Sequence, residues 1–179
     1  MAYVLSENLD FESSEFDRLC KSSLPYLDDA LVKYWPSDCD TEDKKVEHVR
    51  GIFQSRRDAD YEDDQCFMGF KIEKDGYLVG YRCGYKGSDG FVMYDASIYS
   101  NDANGSRAWP WSAEYGVECI KFAKNKGCIG TRYVFVDNGS NTGARNLEII
   151  KANPALEFSL ETKYTANGVD WAVYKGVFI

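Results

Sequence analysis

Several things are scarce in this sequence, and each scarcity excludes something. It has one histidine, His48, among 179 residues, so no paired-histidine metal site and no histidine-rich catalytic constellation can be assembled from it. The six cysteines (Cys20, Cys39, Cys66, Cys83, Cys119 and Cys128) are scattered without a C-x-x-C pair. That spacing is unlike a structural zinc site, and it reads as reduced thiols rather than a disulfide framework. No metal site is expected. Positive charge is also short. Against 21 lysines and arginines stand 29 aspartates and glutamates, a formal net charge of -8, which argues against a nucleic-acid or anionic-membrane binder. No segment approaches the ~20 apolar residues that cross a membrane. The residues after Met1 turn polar at once, at Ser6, Glu7 and Asn8, so no secretion signal is read and a cytoplasmic location is expected.

What is present is material for a core. Hydrophobic residues make up 44% of the chain and aromatics 15%, enough for one self-folding domain over 1–179. The spacing of Phe16, Leu19, Cys20, Leu24, Leu27, Leu31 and Tyr34 predicts a helical stretch from Ser13 to Trp35 that Pro25 either splits or restarts. Thr41 opens a second helix with Val46, Val49, Ile52 and Phe53 inward. From Gln65 the period becomes two. Strands are expected at Cys66–Ile72, Tyr77–Tyr85 and Phe91–Tyr99, with turns at Lys74-Asp75-Gly76 and Gly87-Ser88-Asp89-Gly90. A polar loop, Ser100 to Arg107, leads to a helix from Pro110 to Lys126 closed by Gly127. The run Arg132-Tyr133-Val134-Phe135-Val136 reads as a buried strand, Gly143 to Ala152 as a helix, and Leu156–Tyr164 with Val169–Ile179 as a hairpin turning at Asn167-Gly168. The order β-α-α-β-β-β-α-β-α-β-β predicts an α/β fold with a mixed sheet and helices on both faces.

That order over nearly the whole chain, with Asn141-Thr142-Gly143-Ala144 opening the helix after the fifth strand and Leu147 and Phe158 beyond it, resembles the GNAT family, the Gcn5-related N-acetyltransferases. The resemblance implies acetyl-CoA as cofactor and an amine as substrate. It implies that the fourth strand, at Ala96, Ser97 and Ile98, offers backbone groups to the pantetheine arm, and that Asn141 hydrogen-bonds it. The family's glycine-rich phosphate loop is replaced here by Asn104-Gly105-Ser106-Arg107-Ala108-Trp109-Pro110-Trp111, and Glu148 stands where a tyrosine often protonates the departing thiolate. In that loop Ser106 and Arg107 are the residues able to grip a phosphate. The sequence also resembles GNAT-like proteins of short-tailed bacteriophages, which implies the host cytoplasm or a virion as location and a virion protein as partner.

Each candidate has a plainer reading beside it. Asn141 suits an N-cap, Ala96 to Ile98 an ordinary ladder strand, and Ser106 with Arg107 a solvated loop. Glu114 and Asp95 are the carboxylates in place to act as a general base, and a surface helix position is the plainer reading of Glu114. His48 reads as surface, Cys119 and Cys128 as core, and the acidic run Asp58 to Asp64 as a solvated connection. Two functions stay open: an acyl-CoA-dependent N-acetyltransferase, and a non-catalytic interaction module on the same fold.

Overall fold

The structure, a computed structural model, describes residues 2–27, 35–137 and 147–179. Its seven-stranded sheet has the order β1-β2-β3-β4-β5-β7-β6, with β1 at Tyr3–Ser6, β2 at Cys66–Lys74, β3 at Tyr77–Lys86, β4 at Phe91–Tyr99, β5 at Gly130–Val136, β6 at Leu156–Ala166 and β7 at Val169–Phe178. All neighbours are antiparallel except β4 and β5, which run parallel. Helices α1 (Ser14–Ser23) and α2 (Glu42–Arg57) and helix α3 (Ala113–Asn125) cover opposite faces.

Local chemistry accounts for most boundaries. The Ser13 hydroxyl accepts from the Phe16 amide at 3.1 Å, and the Thr41 hydroxyl from the Lys44 amide at 3.3 Å, so each caps its helix. The β2–β3 and β6–β7 turns carry Asp75-Gly76 and Asn167-Gly168 with φ of 52 and 78 at both pairs. These left-handed values suit the right-handed twist of a tight hairpin. The first helix ends ahead of Pro25, inside the stretch predicted from Ser13 to Trp35. It stops at Ser23 and passes into a 3-10 turn over Leu24–Tyr26, because Pro25 has no N–H for the helical ladder. Leu31 and Tyr34 lie outside the described residues. The predicted start of α3 is also displaced. Pro110 sits in a separate 3-10 turn, Trp109–Trp111, and Ser112, in extended conformation, caps the true helix by accepting from the Tyr115 amide at 3.3 Å.

On the α1/α2 face Phe11, Phe16, Phe53 and Tyr81 form an edge-to-face cluster with ring centroids 5.2 to 6.2 Å apart. Buried Arg50 joins the two helices there, donating to the Phe11 carbonyl and the Asp17 carboxylate. On the α3 face Tyr3, Phe70, Ile72, Val79, Trp109 and Tyr115 pack together.

Candidate functional site: an opening between two parallel strands

The parallel pairing of β4 with β5 is brief. Phe91 faces Gly130, Val92 faces Thr131 and Met93 faces Arg132, and there the ladder ends. Both strands continue. β4 runs on to Tyr99 paired only with β3, and β5 to Val136 paired only with β7. The cause lies in the β3–β4 register, which jumps from Cys83↔Ala96 to Gly84↔Tyr94 and leaves Asp95 as an extra residue. Such a bulge bends its strand and increases the local twist, here immediately past the last β4–β5 pair. Asp95 is held from the other side by an ion pair with Arg56 of α2.

Beyond the bulge, Ala96, Ser97 and Ile98 keep alternate backbone groups turned toward the gap. The end of β4 is closed off. The Tyr99 amide donates to the Ser23 hydroxyl at 3.3 Å, and the Tyr99 carbonyl accepts from Arg107 Nη1 at 2.8 Å. Arg107 also donates to the Ser22 carbonyl at 3.4 Å and lies 3.6 Å over the Tyr26 ring. Its guanidinium therefore ties the β4 end to α1. The Ser106 hydroxyl accepts from the Ala108 amide at 3.2 Å.

The loop after β4 is organised by its own carboxylate. Asp102 Oδ1 accepts from the Asn104 amide at 3.0 Å and the Ser106 amide at 2.8 Å, while Oδ2 takes the Lys74 ammonium at 2.7 Å. The Gly105 amide donates to the Asp102 carbonyl at 2.9 Å. Lys74 and these amides hold the Asp102 carboxyl below the usual carboxylate range. The amides of Asn104 and Ser106 are thus engaged by a built-in anion.

Neither tryptophan fills the gap. Trp109 is buried, donates Nε1–H to the Ser100 carbonyl at 2.7 Å, and meets the rings of Tyr3, Tyr99 and Tyr115, so it belongs to the core under α3. Trp111 is 39% exposed. Glu114 is exposed and borders a 420 Å³ hollow with Ala2, Tyr3, Val117 and Glu118, on the β1 side of the sheet. Asn141 to Ala144 lie outside the described residues. Glu148 is exposed and 3.7 Å from Lys151. The His48 ring lies 4.9 Å from Trp35 in a tilted arrangement. The cysteines are free, and burial pushes the Cys20 thiol up to about 12 and the Cys128 thiol up to about 11. Among the described residues no group of three or more His, Cys, Asp and Glu side chains gathers as a metal site.

One group escapes the sequence reading. Where the opening closes, Arg82 of β3 lies under α3 with its guanidinium carbon 4.2 Å over the Tyr94 ring and Nη1 3.8 Å from Cys119 Sγ. Tyr115 of α3 and Tyr133 of β5 border the same cluster. A faint signal exists: Arg82 alternates with Gly80 and Gly84 on the inward face of β3, an arginine where only glycine otherwise fits.

No protein-family model and no curated protein matches this sequence. Solved structures do match its fold. A Salmonella typhimurium acetyl transferase that modifies the N-terminal serine of the 50S ribosomal subunit protein L7/L12 superposes with a TM-score of 0.61 at 11% identity, over 100% of this chain and 96% of that one. The Escherichia coli ribosomal-protein-S18-alanine N-acetyltransferase gives 0.57 at 10% identity, over 99% and 96%. The PaiA N-acetyltransferase of Thermoplasma acidophilum, solved in complex with coenzyme A, gives 0.56 at 12% identity, over 99% and 100%. Identity this low speaks for the fold alone, and that fold is the one shared by the GNAT N-acetyltransferases.

Proposed function

We propose that the protein is an N-acyltransferase that takes its acyl group from a pantetheine thioester, acetyl-CoA being the simplest, and passes it to an amine. One observation carries the reading: β4 and β5 part after Met93 and Arg132 while both continue. That leaves a strand edge beside which an extended diamide arm can lie and form main-chain hydrogen bonds. Ala96, Ser97 and Ile98 would hold the arm, with Asn141 at the next helix. The bound thioester would bring an activated acyl carbonyl, and the chain's share of the catalysis would be positioning.

The loop fits the other half of the cofactor poorly. Asp102 already accepts from the amides of Asn104 and Ser106, and Arg107 is spent on two carbonyls, so a diphosphate finds no free cradle there. The same fact favours a second reading, a non-catalytic binding module on this fold. Calorimetric titration with acetyl-CoA, CoA and S-acetylpantetheine separates the two. Acyltransferase function predicts micromolar acetyl-CoA binding, weakened by Asn141→Ala, with S-acetylpantetheine within about tenfold, that is about 1.4 kcal/mol. No heat and no thermal stabilisation at millimolar thioester would leave the non-catalytic module standing.

A further inference from the structure

Among the described residues Arg82 is a cation without an anion. Arg50 pairs with Asp17 and Glu47, Arg56 with Asp95, and Arg132 with Asp89 and Glu161 at 2.7 and 2.8 Å, while Arg107 is held by the Ser22 and Tyr99 carbonyls. Arg82 makes no ion pair among the described residues, although the chain has 29 carboxylate side chains to offer. Among the described residues its Nε and the Tyr94 hydroxyl are buried with no hydrogen-bond partner, and the Tyr115 hydroxyl meets only the Cys119 thiol, a weak acceptor. Tyr115 is only 2% exposed. Burial also holds both phenols in their protonated, donating form. Buried polar groups are nearly always paired, and an uncompensated buried charge is among the least tolerated. Buried donors that have no acceptor, or only a thiol, among the described residues describe the complement of an anion.

The position gives that acceptor an address. Tyr94 is the first β4 residue past the last β4–β5 pair, Tyr133 is the first of β5, and Arg82 faces Ser97 across the β3–β4 ladder. Around them lie Phe70 and Phe122, with the Phe70 ring 5.6 Å from Tyr94 and 4.8 Å from Phe122. One guanidinium and two phenols beside apolar rings match the chemistry of a planar two-oxygen anion on a short carbon chain. A carboxylate matches the guanidinium fork and has lone pairs left for both hydroxyls.

We propose that Arg82, Tyr94 and Tyr115 form a carboxylate receptor at the closed end of the β4–β5 opening. If the acyltransferase reading holds, the carboxylate is the far end of the donor's acyl group, and the preferred donor is the thioester of a short dicarboxylic acid, such as succinyl-CoA, over acetyl-CoA. A free dicarboxylic acid offers the same chemistry from a second source.

The test is thermal unfolding of the full chain with sodium succinate against sodium chloride at equal ionic strength, and with succinyl-CoA against acetyl-CoA, for wild type, Arg82→Met and Tyr115→Phe. Wild type should be stabilised by succinate beyond the salt control, and Arg82→Met should abolish that gain. Without ligand Arg82→Met should melt about 3 °C higher, since an apolar side chain of similar length relieves the unpaired charge. Tyr115→Phe keeps the packing and should bind succinate about tenfold more weakly. Greater stabilisation by succinyl-CoA than by acetyl-CoA assigns the carboxylate to the donor. Stabilisation by succinate with no response to either thioester leaves the receptor standing and removes the acyltransferase reading. No succinate effect in wild type overturns the receptor, as does an effect of equal size in Arg82→Met.

Discussion

Gly84 sits at the bulge that opens the site, and replacing it with alanine tests whether that geometry is as tight as described. A Cβ built there would lie 1.9 Å from the Met93 carbonyl oxygen and 2.7 Å from both Met93 C and Tyr94 Cα. These are backbone atoms of the neighbouring strand, so no side chain can swing aside. Ordinary contact would require β3 and β4 to separate by about 1.5 Å, against an interstrand spacing of only about 4.8 Å. Overpacking a core typically costs about 1–3 kcal/mol, and a clash with backbone belongs at about the upper figure. Alanine returns about 0.5–1 kcal/mol by restricting the unfolded chain. The net loss is about 2 kcal/mol, which for a domain of this size lowers Tm by about 4–8 °C. Circular-dichroism melting and urea titration measure it, with an unchanged m value showing that the denatured state is the same. Gly51 is the control. It lies mid-helix in α2 with nothing within 4 Å of its would-be Cβ, so Gly51→Ala should raise stability by about 0.5–1 kcal/mol. A Gly84→Ala protein that melts within a degree or two of wild type would refute the account of why β4 leaves β5.

Two further outcomes follow from other parts of the fold. Phe53 is fully buried against the rings of Phe11 and Phe16 at 5.2 Å, so Phe53→Ala should lose about 3–5 kcal/mol in urea unfolding. The Asp102 carboxyl has a folded pKa lowered chiefly by Lys74 and then by the Ser106 amide. Its contribution is therefore complete above the ordinary aspartate pKa of about 3.9 and disappears as pH falls through the lower folded value. Asp102→Asn should melt below wild type at neutral pH, and the gap should narrow as the medium is acidified below about pH 4; a gap independent of pH would contradict the carboxylate's role.

The sequence discloses this fold well where the signals are local. Alternation and Asp-Gly or Asn-Gly turns mark the β2–β3 and β6–β7 hairpins within a residue or two, and Phe91–Tyr99 is recovered at its full length, because each depends on residues near in the chain. Boundaries set by competition between neighbours are less legible. Pro110 looks like a first helical residue, yet the hydroxyl of Ser112 wins the cap and leaves the proline in a turn of its own. The site is legible only in part. Ala96 to Ile98 are placed at the opening by element order, but the opening itself arises from one extra residue, Asp95, whose displacement shows only in the register with β3. Asp102 and Arg82 go unnoticed for a related reason. What distinguishes them is what surrounds them in space: amides and an ammonium for one, and for the other the lack of a carboxylate among the described residues.

Those two residues together suggest how charge is distributed along the opening. At its outer end the loop that could receive a ligand's negative group already contains one, Asp102, bound by two amides and by Lys74. At its closed end a guanidinium and two phenols have, among the described residues, no acceptor better than the Cys119 thiol. A phosphate arriving at the loop would have to displace a carboxylate whose donors are already arranged about it, gaining little because one anion replaces another. A carboxylate arriving at Arg82 would displace no carboxylate of the described residues and would neutralise its charge. The differential free energy for an anionic ligand therefore lies at the vertex where β4 and β5 part, and if the proposed acyltransferase reading holds, selection among thioesters should depend on the acyl end more than on the nucleotide end.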